Sequence, residues 1–261
     1  MFYKFVGGDE PALLDIFDKA VENGSLKFTS ALGFNDPFEF KFNSIAPTRE
    51  AFDAWHKTYD PGRSADELEY GWASFVGKSA DWNTNFVPRQ NLLHHLYVLC
   101  LARRWDSHLM WAHYACNHQG YALIYRLEIV ATVEALADHT ATGDIDYRTQ
   151  LPSLRWFQVT REEMLEPVLF TKSEEWAYER EFRLILSGPP SKPALYERVD
   201  PDLVAGVILG TRAPKTVIDA ALAVQRRRPN FIVRKVTSTS CSYALDAYDV
   251  DANSWRYGHM L

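Results

Sequence analysis

Apolar positions recur at two different spacings along this chain, and the changes between them mark out its elements. Phe2 to Val6 reads as a short strand. Pro11 then opens a helix, because the N–H it lacks has no partner in a first turn. Leu13, Phe17, Ala20 and Val21 recur at helical spacing, and Gly24 closes the helix. Leu26 to Thr29 alternates and predicts a second strand. A loop rich in turn formers follows, from Ser30 to Glu39. Thr48 to Tyr59 and Ser64 to Lys78 read as helices, the second with Ser64 and Glu67 at capping-box spacing. Leu96 to Leu101 is apolar throughout and fits a strand or a buried helix. Asp106 or Ser107 can cap a short helix around Trp111.

Further on, Tyr121 to Leu127 predicts a strand, Glu128 to Ala137 a helix and Ile145 to Arg148 another strand. Glu162 to Glu179 reads as mostly helical. Phe182 to Leu186 is a strand stopped by Ser187-Gly188-Pro189-Pro190. Leu203 to Leu209 has buried-strand character, Thr216 to Arg226 is a helix, and Phe231 to Val236 is a strand. From Tyr243 the tail is aromatic and weakly periodic. Helices and strands mingle without a regular β-α-β rhythm, which predicts an α+β fold. Gly188 to Pro193 is the best candidate break, yet it is short enough to be a loop. The expectation is therefore one domain over 1–261.

Composition sharpens this picture in three places. The 261 residues are 47% hydrophobic, enough for a sizeable core, and 14% aromatic with 8 Trp. Such side chains fill cores but also line pockets for flat ligands. The net charge of −6 disfavours broad coating of DNA or RNA, which calls for a basic field. Arg226-Arg227-Arg228 is the one tight basic run, and a helix C-terminus accounts for it. The 3 cysteines, Cys100, Cys116 and Cys241, form no C-x-x-C pair, so no disulfide framework or zinc knuckle is expected. No metal is expected either. With no signal-peptide pattern and no long apolar run, the expected location is the cytoplasm, with no membrane partner.

Three blocks carry candidate chemistry. Asn35-Asp36-Pro37-Phe38-Glu39 has the residues of a structural turn, but Glu39 has no turn role. Met110 to Gly120 packs Trp111, His113, Tyr114 and His118 into one short stretch. His113 and His118 lie about 140° apart on a helix, poor spacing for one metal. The block reads either as a core helix with hydrogen-bonded histidines or as a pocket wall. Lys172 to Arg183 holds Glu179, Glu181 and Arg183 at strand alternation, with Phe182, Leu184 and Leu186 on the opposite face. An exposed ion pair explains such a row. So does oxocarbenium chemistry, in which a carboxylate stabilises positive charge at a sugar carbon. No P-loop, G-x-G-x-x-G, G-x-S-x-G or kinase signature is present.

In this order the blocks resemble a bacterial family known as domain of unknown function 2971. The resemblance runs through Tyr3-Lys4-Phe5, Phe28 to Glu39, Met110 to Gly120, Lys172 to Arg183 and Val207 to Gly210. The family name carries no reaction. A weaker likeness is to ADP-ribosyltransferases, which have a split, mostly antiparallel sheet that binds NAD. Their signature is an early Arg or His, a Ser-Thr-Ser strand and a late Glu-x-Glu. Here Tyr3-Lys4, Phe28-Thr29-Ser30 and Glu179-Arg180-Glu181 stand in that order, without the early Arg or His and with the middle motif truncated.

That likeness implies a mixed, mostly antiparallel, split sheet with surrounding helices, and NAD as substrate. It implies that Glu181, with Glu179, holds the nicotinamide ribose and stabilises the transition state. Arg183 would keep Glu181 ionised. Tyr3, Lys4, Ser30 and Asn35 would touch the dinucleotide, and Trp111 or Tyr114 would stack on it. The implied role is a toxin-like or phage-defence effector with a protein or nucleic-acid target. Two rivals come from other classes. One is a non-catalytic sensor that binds a nucleotide, small molecule or protein in an aromatic pocket. The other is a hydrolase using His113 with Glu39 or Glu181 as acid and base. Oligomeric state is not legible.

Overall fold

Leu96 to Ala102 settles as a strand, and the rest of the fold is organised around it. In the computed structural model, residues 1–77, 86–158 and 160–251 are described. The described residues form fourteen strands, beginning with β1 (Phe2–Val6), β2 (Ser25–Ser30), β3 (Asn43–Ile45), β4 (Leu96–Ala102) and β5 (Tyr121–Tyr125). Next come β6 (His139–Asp144), β7 (Asp146–Arg148), β8 (Ser153–Arg155), β9 (Thr171–Ser173) and β10 (Glu181–Ser187). The last are β11 (Ala194–Arg198), β12 (Val204–Leu209), β13 (Ile232–Ser238) and β14 (Leu245–Asp249).

Ten strands join in one sheet, ordered β11-β2-β4-β1-β5-β12-β13-β14, with β10 and then β6 added at β4. Its pairs are antiparallel except β12 with β13. Parallel neighbours need a long crossover, and the helix Lys215–Arg227 supplies it. β3 with β8 and β7 with β9 form two small parallel pairs. The fold is thus α+β around a mixed, mostly antiparallel sheet. Among the described residues, no helix is long and apolar enough to cross a membrane.

One edge of β4 carries β10 along its whole length, from Glu181 opposite Ala102 to Ser187 opposite Leu96. The other edge is shared. β2 meets it at Thr29–Val98 and Ser30–Tyr97, and β1 meets it at Tyr3–Ala102. Between these contacts β1 and β2 part, leaving a fork beside Leu99 to Leu101.

Alternation assigns the two faces. Phe2, Val6, Leu99, Leu123 and Leu184 join the largest apolar cluster, against Leu13 and Phe17 of the first helix and Ile218 and Leu222 of the crossover helix. On the reverse face, Phe5, Ile124, Ile208 and Val236 pack against Met110 and Trp111 of the helix His108–Tyr114. A third cluster gathers Phe40, Phe42, Val98, Leu169 and Ile185.

Local chemistry explains where several elements end. Ser107 caps the helix that carries Trp111. That helix stops because Cys116, Asn117 and His118 all take left-handed backbone. Gly120 follows, where an added Cβ would lie 1.9 Å from the Val6 carbonyl oxygen. The Ser64–Glu67 capping box forms, and its helix runs Ala65–Gly77, while Lys78 lies outside the described residues. So does the tail beyond Asp251. The predicted helix over Glu128 to Ala137 is a shorter one, Ile129–Glu134.

The largest difference concerns Glu162 to Glu179. A helix covers only Arg161–Phe170, started by a capping box between Thr160 and Glu163. The chain then becomes β9 and a 3-10 helix, Glu174–Glu179. Pairing of Lys172 with Tyr147 across β7 and β9 overrides local helical preference there.

Candidate active site at the fork of the sheet

The register of β10 places Glu181, Arg183 and Ile185 on one face and Phe182, Leu184 and Leu186 on the apolar core. Arg180, the residue before the strand, is left-handed at φ 45°. That turn brings the Glu179 side chain round to the face that Glu181 occupies. Both carboxylates reach one ammonium: Lys172 Nζ lies 2.6 Å from Glu179 Oε2 and 3.1 Å from Glu181 Oε2.

The loop after β2 delivers a third carboxylate. Asp36 Oδ1 accepts from the Phe38 amide at 2.8 Å, and the Asp36 carbonyl accepts from the Glu39 amide at 3.2 Å. This tight turn throws Glu39 inward, where Arg183 Nη2 donates to both its oxygens at 2.8 and 3.0 Å. Lys172 Nζ is 3.2 Å from Glu39. Arg183 also donates to Glu181 from Nε at 2.8 Å and to the Leu169 carbonyl at 3.0 Å. Its guanidinium, wholly buried, lies over the rings of Phe40 and Phe34.

Three carboxylates therefore share two cations in a buried network. Removing charges from water is costly unless partners and hydrogen bonds replace the solvent, and here they do. Burial pushes the Glu181 carboxyl up, but Arg183 and Lys172 outweigh it and hold that carboxyl well below the usual range. Glu179 goes the other way. Its burial, with the negative charge of Glu181 beside it, outweighs the pull of Lys172 and raises its proton affinity. Tyr114 Oη donates to Glu179 Oε1 at 2.6 Å, and burial and that bond push the phenol up. Burial works to lower Lys172, but the three carboxylates reverse this and raise it.

Beside this network lies a cavity of about 380 Å³ at the fork. β1 contributes Tyr3, Lys4 and Phe5, and the end of β2 contributes Thr29. Phe34 and Asn35 close one side, Met110 and Tyr114 another, and Lys172, Glu179 and Glu181 supply the charge. Lys4 Nζ donates to the Cys100 carbonyl at 3.1 Å. The Cys100 thiol lines the same cavity, and burial and the charge of Glu181 push it up, so it stays a thiol.

Six of the residues read from sequence thus share one cavity: Tyr3, Lys4, Asn35, Tyr114, Glu179 and Glu181. Arg183 and Glu39 stand behind the carboxylates. The rest lie elsewhere. Ser30 is buried and accepts from the Leu32 amide, capping the turn Ala31–Gly33. Trp111 has no exposed surface; its Nε1 donates to the Trp105 carbonyl at 2.7 Å and its ring stacks on His118. His113 is exposed, with Nδ1 3.0 Å from the Tyr178 hydroxyl. Lys172 and Cys100 escaped the sequence reading. Lys172 opens the third block, but its short strand has the local pattern of a helix, and Cys100 sits in an apolar run that fits either element.

Among the described residues, no group of three His, Cys, Asp or Glu is arranged to hold a metal ion. The three glutamates at the fork are instead bridged by cations.

Residues 110–184 match the family model of a protein of unknown function, DUF2971. The matched stretch includes Tyr114, Lys172, Glu179, Glu181 and Arg183. The matched stretch therefore supplies the charged wall of the cavity, from the helix under β1 to the middle of β10. Glu39 and the β1 wall lie outside it. No curated protein and no solved structure matches the chain.

Proposed function

We propose that the fork cavity binds NAD, and that the protein cleaves the nicotinamide–ribose bond and passes the ADP-ribosyl group to a protein or nucleic-acid target. One observation carries this reading. Glu179 and Glu181 stand side by side in the cavity wall, on one ammonium, with proton affinities driven in opposite directions. Paired carboxylates pushed apart in this way divide into a charge stabiliser and an acid or base.

In the proposed step the bond from ribose C1′ to the nicotinamide nitrogen breaks. Its electron pair leaves with nicotinamide, which departs neutral. Positive charge develops at C1′ and the ring oxygen, and the ionised Glu181 stabilises it from a site shielded from water. The acceptor attacks C1′ and gives its proton to Glu179, whose raised affinity suits a general base. Glu181 acts through its charge, because Arg183 and Lys172 hold it ionised. Glu179 has the raised proton affinity and keeps lone pairs beyond those that accept from Tyr114 and Lys172. Arg183, Lys172 and Glu39 are positioning residues. The rings of Tyr3 and Tyr114 suit a flat heterocycle. The parting of β1 from β2 suits the split sheet of ADP-ribosyltransferases, and the order of motifs fits as well.

The test is nicotinamide release from NAD in the presence of cell lysate, followed by mass spectrometry. Wild type is expected to release it, and Glu179→Gln to lose at least about a hundredfold in rate, as removal of a general base does. Absence of both release and calorimetric NAD binding in wild type overturns the reading.

A second reading has an observation of its own. The buried side-chain polar atoms of the network all have hydrogen-bond partners; His118 Nδ1 is the exception elsewhere among the described residues. A fully satisfied network also suits a rigid sensor pocket. In that case NAD binds and no nicotinamide appears.

A further inference from the structure

The cavity, at about 380 Å³, lies near the small end of the range for small-molecule sites. It suits the nicotinamide-ribosyl half of a dinucleotide and leaves the adenylate half outside. A run of rings leads away from its wall. Tyr114 lines the cavity, and His113 lies 6.3 Å from it between ring centroids. Tyr178 follows at 5.9 Å from His113, and Trp176 at 6.0 Å from Tyr178. His113 is exposed, while Tyr178 and Trp176 are half-buried.

We infer that Trp176, backed by the Tyr178 ring tilted 40° to it and by His113 edge-on to Tyr178 at 70°, forms a ledge on which the base of the ligand stacks. The inference rests on the NAD reading and names the subsite for the second half of that ligand.

Two contacts hold the ledge in place before any ligand arrives. His113 Nδ1 and the Tyr178 hydroxyl are 3.0 Å apart. The Lys172 ammonium stands 5.0 Å from the centroid of the Trp176 ring, while its hydrogen bonds go to Glu179 and Glu181. The indole is thereby tied to the charged wall of the cavity. A rigid aromatic surface loses little freedom on binding, so more of the stacking energy appears as affinity. Tyr178 packs at the edge of the second apolar cluster, and the ledge also explains why Trp176 stays half in water. Trp176 belongs to none of the three. Stacking is sequence-tolerant because every base offers a π-face, so the ledge selects a base without selecting which one.

The test compares NAD with nicotinamide mononucleotide, which lacks the adenylate half, by calorimetry on the full chain. Trp176→Ala is expected to weaken NAD about tenfold, the usual scale for one lost stacking partner. It leaves nicotinamide mononucleotide unchanged, and Trp176→Phe restores most of the NAD affinity. The dinucleotide with hypoxanthine in place of adenine binds wild type within a few-fold of NAD. Unchanged NAD affinity in Trp176→Ala overturns the ledge and leaves the cavity reading standing. Equal weakening of both ligands also overturns it, because the effect then runs through Lys172. No NAD binding in wild type overturns both. Thermal unfolding of each variant separates a folding defect from a binding one.

Discussion

Lys4 Nζ donates to the backbone carbonyl of Cys100 at 3.1 Å, across the gap where β1 and β2 part. Among the described residues no strand pairs with β4 on that edge at Cys100, so a side chain satisfies a group that a ladder would otherwise hold. The fork is in this sense a strutted opening rather than a sheet defect.

Lys4→Met keeps most of the apolar stem and removes the donor. Loss of a partner for a buried carbonyl costs about 1–3 kcal/mol. Lys4 is half-exposed and water can take over part of the bond, so the low end, about 1 kcal/mol, is expected. Urea unfolding should show a lower midpoint with an unchanged slope. On the proposed reading, NAD affinity should fall as well, since Lys4 lines the cavity. An unchanged midpoint would remove the strut from the account.

Arg183 and Glu39 make the second prediction. Their contact is fully buried and joins β10 to the loop after β2. Arg183→Met leaves Glu39 and Glu181 with Lys172 as their remaining cation. Breaking a buried pair typically costs about 3–5 kcal/mol, chiefly through the charge left behind. Adding Glu39→Gln should recover a good part of that loss, because the stranded charge is gone. Strictly additive losses in a double-mutant cycle would show that the two side chains do not act as a unit.

Much of the site could be read from sequence where one strand period was enough. Glu181 and Arg183 against Phe182 and Leu184 follow from alternation alone, and β10 obeys it. Asn35-Asp36-Pro37 announced a turn, and the turn is what aims Glu39. What the pattern could not show was distance in space. The meeting of Glu39 with Arg183 joins residues far apart in the chain, and no local period encodes it. Lys172 was hidden because a three-residue strand looks like the end of a helix until its partner Tyr147 is in place. Trp111 follows the core-helix alternative and not the stacking role implied by the ADP-ribosyltransferase likeness. An aromatic-rich block suggests a pocket wall, yet the cap at Ser107 turns Trp111 onto Phe5 and away from solvent.

Trp111 gives the third prediction. Because it is wholly buried, Trp111→Ala should cost about 3–5 kcal/mol of stability through lost burial and a cavity. On the proposed reading, the folded protein should still bind NAD at the fork, since the ring does not line that cavity. Trp111→Phe should lose less stability and keep binding. Loss of binding in a folded Trp111→Phe would place the indole in the ligand site after all.

The last prediction concerns pH. Glu181 has its folded pKa depressed by Arg183 and Lys172. Its stabilising contribution is present above the unfolded value of about 4.3 and is lost as pH falls toward the folded value. Glu179 has its folded pKa raised, so its contribution has the opposite sign: it grows as pH falls through the raised value. Stability from this pair should therefore peak near the unfolded carboxylate value and decline on both sides. Since the two protons belong to the coupled pair, single variants are compared as whole curves. Glu179→Gln should remove the decline on the neutral side, and Glu181→Gln the decline on the acid side. In the proposed activity, the acceptor's proton would need an ionised Glu179, so the nicotinamide-release rate should rise with pH through the raised value. Glu179→Gln should leave a low rate without that limb. A rate that rises with pH in Glu179→Gln as steeply as in wild type would take the base role away from Glu179.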